Sequence, residues 1–217
     1  LIPVYLREVY GRQGPEAIRT RYQNIRTLCT IHNLAYQGVF WHFDLPMTGL
    51  PWRLFNHDQL EFFGRLNFLK AGMVFADLIN TVSPTYALEI QTNGEYGFGL
   101  EGVLRHRTGD VRGILNGIDE REWDPATDRH LDSHFDRDHP EGKRACTRAL
   151  ALASGFPLDP EWPIIGLVAR LVEQKGLDLI EQAEHELCDL PARFVVLGVG
   201  QPRYHELFER LASERPW

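Results

Sequence analysis

The segment "LVARLVEQKGL", Leu167–Leu177, is where the chain changes its hydrophobic period. It closes the apolar run "PEWPIIGLVAR" (Pro160–Arg170) and opens the amphipathic stretch "KGLDLIEQAEHEL" (175–187). An apolar run of that length reads as a strand buried on both faces, and the stretch after it as a helix. The pattern then repeats, with "ARFVVLGVG" (192–200) as a second buried strand and "YHELFERLASE" (204–214) as a second helix. Strand, helix, strand, helix is the signature of a parallel sheet in an α/β fold. Open parallel sheets bind ligands beyond the carboxyl ends of their strands, and Arg170 and Lys175 stand just past one such end. Arginine offers a planar fork of donors and lysine a compact mobile charge. With Gly176 permitting close approach and a helix start nearby, the loop could hold a diphosphate. On these residues alone, the pair fits solvated or ion-paired surface cations equally well.

Upstream of this unit, "RTLCTIHN" (26–33) reads as a short buried strand entering a polar loop. "LAYQGVFWHFDLPMTGLP" (34–51) reads as a long structured loop with one helical turn. Phe55–Ala76 has helical spacing at Leu66, Leu69, Met73 and Val74, which predicts one or two helices. Asp77–Ser83 reads as a strand, and Ser83 before Pro84 as the cap of a helix over "TYALEIQT" (85–92). "GEYGFGLEGVL" (94–104) reads as a loop dominated by backbone groups. "VRGILNGID" (111–119) reads as a strand followed by an Asn-Gly turn. The charged stretch after residue 119 is the best internal boundary. "KRACTRALALASGF" (143–156) reads as a helix closed by Gly155.

The 217 residues carry a net charge of -7, and no basic stripe with interleaved aromatics is present. Nucleic acid is therefore a poor partner. A hydrophobic content of 43% supports a sizeable core and argues against wholesale disorder. No apolar run approaches the ~20 residues of a membrane-spanning helix. Cys29, Cys146 and Cys188 are distant and odd in number, which suits a reducing compartment better than a disulfide framework. Because residue 1 is Leu and the last helix runs straight into Trp217, the chain reads as a piece of a longer protein.

Several further residues are candidates on type and position. His32 ends the first strand and could donate to a substrate hydroxyl, or be a structural histidine. Asn116 could hold a ligand through its amide or shape a turn. The backbone of Tyr96, Gly97 and Gly99 could line a sugar or anion site. Tyr36, Phe40, Trp41 and Trp52 could stack on sugars, though such residues more often pack a core or rim. Gly198-x-Gly200 follows a strand, but Arg203 stands where the dinucleotide fingerprint needs its third glycine, so the two read as turn glycines. Glu101 could be catalytic only if partner groups converge on it. The histidines form no metal-ligand spacing.

Taken together, "IHNLAYQG" (31–38), "LKAG" (69–72), "ADLINTVSPTYALEI" (76–90), "YGFGLEGVL" (96–104), "GILNGID" (113–119) and "ARLVEQKGLDLI" (169–180) resemble bacterial glycogen synthase and plant starch synthase in order and spacing. The resemblance implies an α/β glycosyltransferase B fold: two Rossmann-like domains facing across a cleft, both incomplete in this chain. It implies residues 1–119 as the end of the N-terminal domain, 120–142 as a charged linker, and 143–217 as the start of the C-terminal domain. The implied activity is retaining transfer of glucose from ADP-glucose to the non-reducing end of an α-1,4-glucan, with no metal or other cofactor. The implied setting is the bacterial cytoplasm, or a plastid in a plant relative, with neither membrane nor nucleic acid as a partner. His32 matches the family histidine that contacts donor glucose, and Asn116 an asparagine near the same sugar. Arg170 and Lys175 match the pair that binds the donor phosphates; with His32 they form the expected catalytic set. Tyr96, Gly97 and Gly99 match a loop near sugar or acceptor, and Glu101 receives no catalytic role. The family's upstream Lys-x-Gly-Gly-Leu loop and downstream glutamate-bearing segment are absent from the sequence, so these residues alone are expected to transfer no glucose. Two rival readings are a sucrose synthase-like transferase, distinguishable by its donor nucleotide, and a non-catalytic glucan-binding relative, distinguishable by its lack of donor affinity.

Overall fold

A computed structural model describes residues 1–12, 15–157 and 162–214. The chain divides into two compact units, Leu1–Gly117 and Ile118–Trp217. The first opens with the helical turn α1 (Ile2–Val4), a π-helical coil over Tyr5–Tyr10 and α2 (Glu16–Gln23). Strand β1 (Leu28–Ile31) follows. The stretch expected to be a long loop contains β2 (Val39–Trp41) and a 3-10 helix over His42–Thr48. A second short 3-10 helix covers Trp52–Leu54.

Phe55–Ala76 departs from the expected helices in its first half. There, β3 (Glu61–Phe62) and β4 (Arg65–Asn67) form a hairpin, and β4 also pairs with β2. Phe63 (φ 50°) and Gly64 (φ 74°) supply positive φ at both central turn positions. That is the backbone twist a two-residue hairpin needs. The helical spacing misled because Leu66 lies in β4 while Leu69 and Met73 lie in α3 (Phe68–Phe75). The boundary is Asn67, whose side chain caps α3 by accepting from the Lys70 N–H at 2.8 Å.

Strand β5 (Leu78–Thr81) comes next, and then α4 (Pro84–Glu89), capped as expected by Ser83, whose hydroxyl accepts from the Tyr86 N–H at 2.9 Å. The glycine-rich loop is more ordered than expected: it forms α5 (Gly94–Gly97) and α6 (Glu101–His106), joined by a corner at Phe98–Gly99. Strand β6 (Val111–Gly113) completes a parallel sheet of order β1-β5-β6. Residues 114–119 have no regular structure, so the expected Asn116–Gly117 turn does not form.

In this sheet, one face is buried and the other open. Ile31, Ile79, Thr81 and Val111 point into the core with Met73, Ile90 and Leu104, while Leu28 and Leu78 on the opposite face are exposed. Within this chain β1 alternates, with Ile31 buried and Leu28 exposed, the pattern of a strand covered here on one side.

The second unit begins with turns over 118–140, where Asp119, Asp124, Asp128 and Asp136 each accept a backbone N–H two residues ahead. Helix α7 (Gly142–Ala153) ends as expected at Gly155 (φ 73°). Phe156 N–H reaches Ala151 O and Gly155 N–H reaches Leu152 O, the paired bonds of a Schellman ending. Strand β7 (Ile164–Val168) follows; Pro160 and Glu161 of the expected strand lie outside the described residues. The expected single helix is broken at Ala183 into α8 (Leu177–Gln182) and α9 (Glu184–Cys188). Strand β8 (Arg193–Leu197) pairs in parallel with β7, and α10 (Pro202–Glu214) packs through Tyr204 and Leu207 onto Leu171 and Leu177. Within this chain the side of the two strands away from that cluster, with Val168 and Leu197, is uncovered.

The amino-terminal edge of the first sheet is locked by Asp77. Its carboxylate accepts from Arg7 (2.7 Å), Arg26 (3.0 Å), the Thr27 N–H (2.7 Å) and the Thr27 hydroxyl (3.0 Å). Burial pushes its pKa up, but the Thr27 and Arg26 hydrogen bonds and the Arg7 charge outweigh it and hold the carboxyl well below the usual range. Because the folded pKa lies below the unfolded one, this stabilisation is complete above about pH 4 and fades as pH falls toward the folded value. Asp77→Asn should cost ~1–3 kcal/mol near neutral pH and flatten the acid limb of the stability curve. Urea denaturation at several pH values checks both, and an unchanged acid limb would refute the clamp.

Candidate functional site

The register aligns Ile31 with Thr81 and Thr81 with Gly113, so the three parallel strands end in one row. His32 leaves this edge from β1 and Asn116 leaves it three residues beyond β6; both side chains are exposed. The backbone after His32 is pinned. Asn33 Oδ1 accepts from the Ala35 N–H at 2.9 Å, the Leu34 N–H donates to the Tyr86 hydroxyl at 3.1 Å, and Leu34 is fully buried. His32 is thus an exposed side chain on a backbone held by its neighbours, which suits contact with a ligand hydroxyl.

The glycine loop is built from its own cap. Asn93 Oδ1 accepts from the Glu95 and Tyr96 N–H groups at 3.0 and 3.4 Å, starting α5. Tyr96 and Gly99 are exposed, while Gly97 is buried against Glu101. Glu101 Oε2 is buried with no hydrogen-bond partner.

In the second unit, Arg170 and Lys175 share the loop after β7, and both are exposed. Between them Leu171 is a fixed point: its N–H donates to Val199 O at 2.9 Å and its carbonyl accepts from the Gln201 N–H at 2.8 Å. A side chain at Gly198 would overlap Ala169 O, and one at Gly200 would overlap Leu171 O. The two glycines therefore let the β7 and β8 loops lie against each other, which explains G-x-G without a dinucleotide. The sequence reading gave no role to His205, whose Nε2 accepts from the Gly200 N–H at 3.1 Å and so ties α10 to this turn. The expected helix-start contribution is small, because α8 spans six residues; the positive charge of this loop comes from Arg170 and Lys175 themselves.

Of the expected residues, His32, Tyr96, Gly97, Gly99 and Asn116 lie in the first unit and Arg170 and Lys175 in the second. Other residues were not legible from sequence. Lys70 is buried, with its Nζ bonded to His57 O and, at 2.6 Å, to Glu61 O, and burial lowers its pKa. The aromatics suggested for sugar stacking split. Phe40 packs on Phe68 at 4.6 Å, whereas Trp41, Phe43, Trp52 and Phe55 form a partly exposed chain of rings. Among the described residues, no three His, Cys, Asp or Glu side chains gather to hold a metal ion, and no helix is long and apolar enough to cross a membrane.

Comparison with known proteins gives a consistent picture. Residues 1–106 match the family model for the starch synthase catalytic domain. A glycogen synthase of Anaeromyxobacter sp. (strain Fw109-5) is 50% identical over 216 residues, covering 100% of this chain and 44% of the relative. A glycogen synthase of Koribacter versatilis is 45% identical over 216 residues, covering 100% of this chain and 43% of the relative. The catalytic domain of starch synthase IV from Arabidopsis thaliana, solved with ADP and acarbose, superimposes with a TM-score of 0.84 at 32% identity, over 98% of this chain and 42% of that one. The chain spans less than half the length of these relatives.

Two substitutions probe the local readings. Gly200→Ala should destabilise the second unit by ~1–3 kcal/mol through the overlap with Leu171, measurable by denaturation monitored at that unit. Glu101→Gln should leave turnover of the full-length protein within about threefold of wild type; loss of turnover with intact folding would give Glu101 a catalytic role.

Proposed function

The chain belongs to the glycogen and starch synthase family of GT-B glycosyltransferases, and on that premise we propose that the protein carrying it transfers glucose from ADP-glucose to the non-reducing end of an α-1,4-glucan with retention of anomeric configuration. In this reading residues 1–119 contribute to the N-terminal domain, 120–142 link, and 143–217 begin the C-terminal domain. The observation that carries the reading is the Arg170–Lys175 loop, two exposed cations on a backbone locked at Leu171.

The chemistry follows from charge. The bond from the anomeric carbon to the diphosphate oxygen breaks, and its electron pair leaves with ADP. The acceptor hydroxyl forms the new bond on the face that ADP leaves and passes its proton to the departing diphosphate oxygen. Negative charge grows on the leaving diphosphate as the bond lengthens. Arg170 and Lys175 stabilise it most at that point, which lowers the barrier rather than only tightening binding. His32 contacts the donor glucose, Asn116 lies near the same sugar, and Tyr96, Gly97 and Gly99 line the sugar or acceptor. ADP in the Arabidopsis relative is the fragment such a transfer leaves behind.

Arg170→Ala and Lys175→Ala in the full-length protein should each lower kcat for ADP-glucose by about 10²–10³ and weaken ADP binding by about tenfold, with thermal stability little changed. Radiolabelled transfer to glycogen and calorimetric titration with ADP measure these. Unaltered turnover in both variants would overturn the assignment of the two cations.

A further inference from the structure

The corner between α5 and α6 is a conformationally costly piece of backbone. Phe98 sits at φ 49°, a region that a bulky residue seldom occupies, and Gly99 follows at φ 82°. Such a corner persists only when its surroundings hold it. Two contacts do so. On one side, the edge-to-face pair of Phe62 and Phe63, centroids 4.6 Å apart, closes on Gly99, where an added Cβ would lie 2.9 Å from Phe62 Cζ. On the other side, Gln37 Nε2 donates to the Phe98 carbonyl at 3.0 Å.

Gln37 is itself held from behind. It is 8% exposed, and its Oε1 accepts from Asn67 Nδ2 at 2.6 Å; Asn67 is fully buried. Asn67 Oδ1 is committed to the Lys70 N–H, so its amide orientation is set by the cap of α3. The Gln37 carbonyl also accepts from the Leu69 N–H at 3.0 Å. The start of α3 therefore orients Asn67, Asn67 orients Gln37, and Gln37 orients Phe98. Buried amide chains of this kind leave no rotational slack, because any flip strands a donor against a donor. Gln37 also lies five residues after His32, at the end of the pinned loop that leaves β1.

We propose that Gln37 is a positioning residue that ties the His32 loop to the Tyr96–Gly99 loop, so that two substrate-contacting segments far apart in sequence keep one relative geometry through Asn67–Gln37–Phe98. The proposal rests on the reading of those two segments as substrate-contacting. Gln37 touches no substrate. It acts by fixing where the backbone of Phe98 and Gly99 is presented.

The test uses full-length protein and three variants. Gln37→Met keeps the volume and removes both hydrogen bonds. Gln37→Glu keeps the acceptor for Asn67 and removes the donor to Phe98. Asn67→Asp keeps the α3 cap and removes only the donor to Gln37. Turnover, ADP affinity, melting temperature and amide hydrogen exchange of residues 96–100 are measured on each. Both Gln37 variants should lose kcat by about tenfold or more, while ADP affinity stays within about twofold, because the phosphate-binding pair lies on the other unit. Exchange should quicken in 96–100, and Asn67→Asp should show a smaller loss. Unchanged kcat in both Gln37 variants would overturn the proposal. So would a kcat loss that tracks melting temperature and ADP affinity together, which is the pattern of a merely structural residue. If wild-type protein fails to transfer glucose from ADP-glucose, the functional reading falls instead. Exchange in 96–100 then decides the relay by itself: unchanged protection in the Gln37 variants refutes it.

Discussion

The first unit depends on one cluster of charge at the amino-terminal edge of its sheet. Asp77 gathers two arginines and the start of β1 onto the start of β5. Arg107, at the end of α6, reaches the Asp77 carbonyl at 2.9 Å and the carbonyls of Met73 and Ala76 at 2.6 and 2.8 Å. A guanidinium at the end of α3 satisfies carbonyls that the helix leaves unpaired and complements its dipole. These bonds set the register of β1 on β5, and the register places Ile31, Thr81 and Gly113 in one row at the far edge. The strand register that carries His32 and Asn116 to that edge is thus fixed at the opposite end of the strands.

The second unit solves the same problem with packing in place of charge. Its two parallel strands are extended past their ends by Leu171, which pairs with the 199–201 segment while its side chain sits in the core beside Tyr204 and Leu177. The glycines at 198 and 200 are the condition for that approach. The anchor fixes where the Arg170 and Lys175 side chains leave the backbone, and both are exposed.

Much of this was legible in the sequence. The parallel α/β character, the Ser83–Pro84 helix start and the Gly155 ending all rest on interactions between near neighbours. So do the positions of His32, Arg170 and Lys175 at strand ends, since a strand end is a local event. The errors fall where a local pattern has two readings. Leu66, Leu69 and Met73 keep helical spacing across a strand, a cap and a helix. The apolar runs of β7 and β8 read as strands covered on both faces, and within this chain one of those faces, with Val168 and Leu197, is uncovered. Asn116–Gly117 reads as a turn, yet residues 114–119 carry no regular structure.

What the sequence determined by itself is the parallel α/β character, the helix ends at Ser83 and Gly155 and the family, because periodicity, caps and motif residues are written in consecutive positions. What only the tertiary structure decided is how those positions are held. Gln37, Asn67 and Phe98 lie 30 and 31 residues apart, and nothing in their types announces an amide relay. Asp77 with Arg7, and Leu171 with Gly200, are equally silent in one dimension. A hydrogen bond is specified by distance and angle between two groups, and those exist only once the chain has brought distant segments together.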